Sequence, residues 1–263
     1  MKRKRSESKS TVNRRTAILE LLGKEGQVDV NELSKSLGVS SVTIRNDLEQ
    51  LEKRKMLLRA RGGAMKVQQH FVGHDYPHSD KQKKNYPEKQ AIGKRAVEFV
   101  QEENIIILDS GSTTFEVAKN LEHFENLTVI TNAINIATYL ADHKNITVIV
   151  PGGNLRKNSM SLVGTTADRA LKEYYCDILF LGVDGLDPEF GISTPNIEEA
   201  HLNQIMIEMS KKVIVVADSS KFRRRGFAFI ASMDALDVLI TDSGISEDEK
   251  SKLLSMGVDV VTV

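Results

Sequence analysis

Apolar residues recur at helical spacing in three stretches near the start of the chain. Residues 14–23 set Ile18, Leu19, Leu21 and Leu22 on one face, and residues 30–37 do the same with Val30, Leu33 and Leu37. Gly26 and Gly38 break the pattern after each. A third helix is predicted over 41–54, capped by Ser40 or Ser41, with Val42, Ile44, Leu48 and Leu51 buried. Residues 57–66 then predict a hairpin turning at Gly62-Gly63. The stretch 67–87 is polar and holds two prolines, which marks a linker.

From residue 88 the pattern changes to an amphipathic helix reaching about residue 102, followed by short apolar runs. The runs lie at 105–108, 127–131, 146–150, 178–183, 213–217, 238–241 and 258–263, with helical stretches between most of them. Apolar strands spaced by helices predict an α/β domain with a mostly parallel sheet covered on both faces. The expected organisation is therefore a small helical unit over 1–66, a linker over 67–87 and a larger α/β domain over 88–263.

Charge sharpens this division. The chain is neutral overall, yet residues 1–66 carry sixteen Lys/Arg against eight Asp/Glu, leaving twenty against twenty-eight for the rest. A basic segment joined to an acidic one points to a polyanionic partner for the former. The motifs agree, because Val28-Asp29-Val30-Asn31-Glu32-Leu33-Ser34, Leu37-Gly38-Val39-Ser40 and Val42-Thr43-Ile44-Arg45-Asn46-Asp47-Leu48 spell helix, tight turn and second helix. In a helix-turn-helix the second helix enters the major groove of double-stranded DNA, N-terminal side chains toward the bases. Those are Ser41, Thr43, Arg45 and Asn46. Arg45 suits guanine and Asn46 adenine, each bidentate pairing giving about 1–3 kcal/mol of discrimination. Arg59, Arg61 and Lys66 on the hairpin, with Arg14 and Arg15, are candidates for backbone phosphates or the minor groove. The opposing reading is a solvated helix face on which Arg45 pairs with Glu49.

Metal, redox and membrane roles find little support. His70, His74 and His78 recur every four residues, but Gly73 and Pro77 oppose the helix that would align them. No metal and no cofactor are expected. The single cysteine, Cys176, opens an apolar run and reads as core. With no apolar stretch of eighteen residues, the expected location is the cytoplasm.

The ligand chemistry of the larger domain gathers at strand ends. Asp109-Ser110-Gly111-Ser112-Thr113-Thr114 follows the strand at 105–108 and opens a helix, offering free backbone N–H groups and hydroxyls to a phosphate. Asn132, Gly152-Gly153 with Arg156, Asp184 and 218–221 with Lys221 follow other strands. Asn132 and Ser220 read as turn or cap residues. The remainder are convergent polar groups of the kind a sugar needs.

Together these residues carry a likeness. Over 13–263 the chain resembles the DeoR family of bacterial sugar-metabolism regulators, through the 42–48 motif, Arg61-Gly62-Gly63-Ala64, 108–114 and Asp218-Ser219-Ser220-Lys221-Phe222. Within it, Asn154-Leu155-Arg156-Lys157, Phe180-Leu181-Gly182-Val183-Asp184 and Gly191-Ile192-Ser193-Thr194-Pro195-Asn196 are most similar to regulators of N-acetylgalactosamine and galactosamine use. The resemblance implies a winged helix-turn-helix and a sensor domain similar to ribose 5-phosphate isomerase. It also implies a homo-oligomeric repressor, dimer or tetramer, released from its operator by a phosphorylated sugar, a hexosamine or ketohexose phosphate. An isomerase or deaminase tethered to DNA is the alternative. Asp184, Asp187 and Glu198 lie near the isomerase's acidic run and base, but its Lys-Gly-Gly-Gly stretch is missing, which favours binding without turnover.

Overall fold

The expected helices form where the apolar spacing puts them. A computed structural model describes residues 9–25, 27–53, 56–60, 62–65, 71–72 and 75–263. The chain divides into two compact units, Met1–His74 and Asp75–Val263.

In the first unit, α1 (Lys9–Glu25) starts earlier than its apolar stripe, α2 (Val30–Ser36) follows, and α3 (Ser41–Lys53) completes the helix-turn-helix. Asp29 caps α2, its carboxylate accepting from the N–H groups of Asn31 at 2.7 Å and Glu32 at 3.2 Å. Ser40 caps α3 by accepting from Thr43 N–H. Ile18, Leu19 and Leu22 bury against Val30, Leu33, Ile44, Leu48, Leu51 and Leu57. Each such side chain contributes about 1.5–3 kcal/mol. Val42, expected among them, is 60% exposed. It stands two residues from Ile44, about 200° around the helix from the Ile44–Leu48–Leu51 stripe.

The hairpin is present as β2 (Leu58–Ala60) and β3 (Gly63–Met65), with Gly62 at φ +89° in its turn. A third strand that the pattern did not show, β1 (Gln27–Asp29), pairs antiparallel with β3. That pairing needs Gly63, because a Cβ there would lie 1.9 Å from the carbonyl oxygen of Val28. A short strand β4 (Phe71–Val72) follows.

In the second unit, α4 (His78–Lys83) and α5 (Tyr86–Ala96) precede the first long strand. The expected linker is thus corrected from Asp75 on, since 75–87 is helical in large part and belongs to the α/β unit. Its sheet holds β5 (Ile105–Leu108), β6 (Leu127–Thr131), β7 (Ile146–Ile149), β10 (Cys176–Leu181), β13 (Ser210–Val216), β16 (Val238–Thr241) and β17 (Asp259–Thr262). Every pairing in it is parallel. Helices α6 (Ser112–Ala118), α7 (Ile134–Leu140), α8 (Thr165–Leu171), α9 (Ile197–Glu208) and α10 (Glu247–Ser255) fall between strands. Smaller antiparallel pieces escaped the apolar pattern: β8 (Asn154–Arg156) with β9 (Ser161–Val163), and β11 (Gly185–Asp187), β12 (Gly191–Thr194) and β15 (Ala228–Ala231). The strand β14 (Arg225–Gly226) precedes β15. Cys176 is buried as expected, and burial pushes its thiol up to about 11.

The sheet order, β17-β16-β13-β10-β5-β6-β7, fixes where a ligand goes. The chain enters at β5, winds outward through β6 and β7, then returns to β10 on the other side of β5. Connections leaving β5 and β10 therefore diverge to opposite faces, opening a crevice beyond the carboxyl ends of these two strands.

Candidate functional site

On the helix-turn-helix, Val42, Arg45, Asn46 and Glu49 form an exposed stripe along α3 at spacings of three and four residues. Ser41 and Thr43 are half-buried, the Thr43 hydroxyl lying 2.9 Å from that of Ser40. Glu49 pairs with Lys53 at 2.6 Å and not with Arg45, whose guanidinium makes no ion pair among the described residues. Arg59 is exposed and leans on α3, Nη1 donating to the Arg45 carbonyl at 3.1 Å, while its backbone N–H donates to Glu52. Arg61 and Lys66 lie outside the described residues. Arg14 and Arg15, expected at phosphates, instead hold the buried Asp47 carboxylate at 2.5 and 2.8 Å. They fasten α1 to α3, a link 32 residues long for Arg15 that local spacing cannot reveal.

In the α/β unit the crevice between β5 and β10 is lined by Asp109, Ser110, Gly111, Ser112 and Thr113 after β5, and by Gly182, Val183 and Asp184 after β10. Gly111 is the N-cap of α6 and has no side chain to meet the first-turn N–H groups. A Cβ on Gly111 would come within 3.0 Å of the Thr114 hydroxyl. Thr114 itself is fully buried, accepting from Gly111 N–H at 2.8 Å and donating to the Asp109 carbonyl at 2.6 Å. It shapes the loop from beneath and does not line the cleft, contrary to expectation.

Two cations converge on Asp184. Lys221, in the short turn after β13, lies 3.5 Å from its carboxylate, and Lys81, from α4, lies 3.0 Å away. Burial works to raise the pKa of Asp184, but Lys81 and Lys221 overcome it and hold the carboxyl at about 2. Burial lowers and Asp184, Glu199 and Asp75 raise the pKa of Lys81, with a net rise. Burial also pushes Asp109 up to about 7, and the nearby Glu199 adds to the rise against N–H groups of Ser110 and Gly182. His78, lowered chiefly by its burial, completes this end of the cleft.

The remaining wall comes from β12 and α9. Thr194 donates to Asp184 at 3.3 Å. Glu199 and Asn203 project into the cleft from the same face of α9. Glu199 is braced from behind by Arg156 at 2.5 Å and by the Ser161 hydroxyl at 2.9 Å, while Arg156 also holds Asp75 at 2.5 Å.

Arg156, Gly152 and Gly153 are thus not brought to the cleft surface. Arg156 acts through Glu199, and Gly152 and Gly153, at φ +77° and +119°, carry the chain past β9 and α8. A Cβ on Gly153 would lie 2.7 Å from the Val163 carbonyl. Asn132 binds the Leu162 carbonyl and Ser220 the Asp218 carboxylate, the structural fates expected of them. Glu198 is exposed and Glu199, its neighbour, faces the cleft; Asp187 pairs with Arg225 at 2.9 Å. Lys81 went unseen because it sits in a polar run without apolar period, and His78 was noticed only as one of three evenly spaced histidines and not as a cleft residue. The spacing of Glu199 and Asn203 on one helix was the available signal for that wall. Among the described residues no cluster of three His, Cys, Asp or Glu is set to hold a metal, and His70 and His74 lie outside them.

A helix-turn-helix with an exposed polar reading face, carried on the same chain as an α/β unit with a charged cleft at its strand ends, defines a ligand-responsive DNA-binding regulator. Residues 14–70 match the DeoR-like helix-turn-helix domain and residues 84–243 the DeoR C terminal sensor domain. The chain belongs to the DeoR family of transcriptional regulators. It is 41% identical to a protein of Escherichia coli O157:H7 named for transcriptional repression of the aga operon, over 96% of this chain and 94% of that one. It is 38% identical to the HTH-type transcriptional regulator GlpR of Haloferax volcanii, over 94% and 96%. Both relatives are named as transcriptional regulators. Ribose 5-phosphate isomerase A of Methanocaldococcus jannaschii aligns with 52% of this chain and 55% of its own, at 18% identity and a TM-score of 0.40.

Proposed function

We propose that this chain represses a sugar-catabolism operon in the cytoplasm, binding operator DNA as a homo-oligomer and leaving it when a phosphorylated sugar, a hexosamine or ketohexose phosphate, fills the cleft. The observation that carries the reading is the pairing of Lys81 and Lys221 with Asp184 beside the uncapped start of α6. A phosphate dianion seated at the N–H and hydroxyl groups of 110–113 would meet both ammonium groups. The name of the aga relative supports an amino-sugar operon.

On the DNA side, Arg45 and Asn46 suit guanine and adenine edges, and the exposed Val42 beside them suits a thymine methyl. Arg59, fixed against α3, suits a backbone phosphate.

Response to the ligand requires that it bind the DNA-releasing conformation more tightly, a tenfold preference shifting the balance by about 1.4 kcal/mol. Lys81 and Asp75 stand among the first residues after the DNA-binding unit, and both are tied to groups of the cleft. They are the direct route for such a preference to reach the linker.

The test is Lys221→Met. Calorimetric titration with galactosamine 6-phosphate and fructose 6-phosphate should show affinity falling about tenfold or more, as loss of a charge-assisted contact implies, with operator binding retained. Unchanged affinity would place the phosphate elsewhere.

A further inference from the structure

Asn203 is almost wholly buried, at 3% exposure, lines the cleft, and its side-chain carbonyl has no hydrogen-bond partner among the described residues. Buried amide oxygens are nearly always satisfied, and because Asn203 lines the cleft, a turn of its amide lets a donor that enters the cleft meet this one. Turning the amide over exchanges an orphaned acceptor for an orphaned donor and leaves one end to be met either way.

The surroundings restrict that partner. Asn203 lies one turn beyond Glu199, whose carboxylate is held rigid by Arg156 and Ser161 and keeps further lone pairs for the cleft. The fixed Glu199 carboxylate beside Asn203 repels a phosphate, so the phosphate sits away from this wall whichever way the amide is turned. The amide carbonyl and the carboxylate both accept from a hydroxyl or an ammonium group.

We infer that Asn203, with Glu199, reads the hydroxyl or amino groups of the effector remote from its phosphate, and that Asn203 decides which polyol monophosphates are accepted. The inference rests on the proposed sugar-phosphate reading and gives the bound ligand a direction: phosphate toward 110–113 and the two lysines, hydroxyl-bearing end toward α9. It also separates a sugar phosphate from a bare phosphate, because only the former reaches Asn203.

The test compares the full-length protein with Asn203→Leu and Asn203→Asp. Leucine fills the space without polar atoms, and aspartate keeps the acceptor. Binding of inorganic phosphate, fructose 6-phosphate and galactosamine 6-phosphate is measured by calorimetry, and operator binding reports that each variant is folded. Asn203→Leu should lose roughly tenfold to a hundredfold in affinity for whichever sugar phosphate the wild type prefers, shrinking its preference over inorganic phosphate. Asn203→Asp should retain more of that preference and shift it toward the amino sugar. Wild-type sugar-phosphate affinity in a folded Asn203→Leu protein overturns the inference while leaving the phosphate site standing. A wild-type protein that binds none of the three overturns the sugar-phosphate reading itself, and the inference with it.

Discussion

Asp109 and Asp184 are buried in one cleft and titrate in opposite directions because their neighbours differ. Asp184 has two ammonium groups beside it and stays ionised. Asp109 has burial and Glu199 against it and rises to about 7 from 3.8. Between about pH 4 and pH 7 the folded chain keeps a proton on Asp109 that the unfolded chain has released. Stability therefore falls as pH rises through that window. Asp109→Asn should remove this slope, leaving the variant more stable than the wild type at pH 8 by about 1 kcal/mol or more and nearer to it at pH 5. Urea midpoints at the two pH values check this; parallel changes in both proteins would contradict the assignment. That residues 109–113 stand at the cleft was legible from a run of small hydroxyl side chains between an apolar strand and a helix, although such residues also serve as ordinary caps. Lys81 was not, because nothing local distinguishes a buried lysine from a solvated one until its carboxylate is placed.

On α3 the apolar stripe Ile44, Leu48, Leu51 fixes which face is buried, and the opposite face follows by geometry. That face holds Val42, Arg45, Asn46 and Glu49. Reading Val42 as core counted its hydrophobicity and ignored its angle. The Arg14 and Arg15 pairs with Asp47 show the converse limit, where charge was visible but its partner, on another helix, was not. Arg45→Ala should abolish specific operator binding, leaving binding of galactosamine 6-phosphate and the unfolding midpoint within error of the wild type. Loss of one bidentate contact corresponds to about 1–3 kcal/mol per half-site, doubled in a two-fold oligomer. A mobility shift on operator DNA showing full affinity would remove Arg45 from the reading face. At the same scale, the expected linker became α4 because polar composition with two prolines marks a loop unless tertiary contacts hold a short helix. Here the Lys89 ammonium binds the Lys81 and Lys84 carbonyls from α5.

For the whole chain, the division into a basic helical unit and an α/β unit was legible from charge and period. All seven central strands stand within a few residues of the apolar runs. What the pattern could not supply was their order. The placement of β10 beside β5, and hence the crevice that gathers residues from α4, α6, α9 and the turn after β13, is a property of non-local pairing. The antiparallel strands β8, β9, β11 and β12 were missed because none of them holds more than two apolar residues in succession. The proposed function joins DNA binding and sugar-phosphate sensing in one chain. Its most direct test is a mobility shift with the DNA upstream of the chain's own gene, titrated with galactosamine 6-phosphate, ketohexose 6-phosphates and the corresponding free sugars. A salt-sensitive complex should form and be released by at least one sugar phosphate and by none of the free sugars. A complex that persists at saturating concentrations of every sugar phosphate, or that free sugars release equally well, would contradict the proposed function.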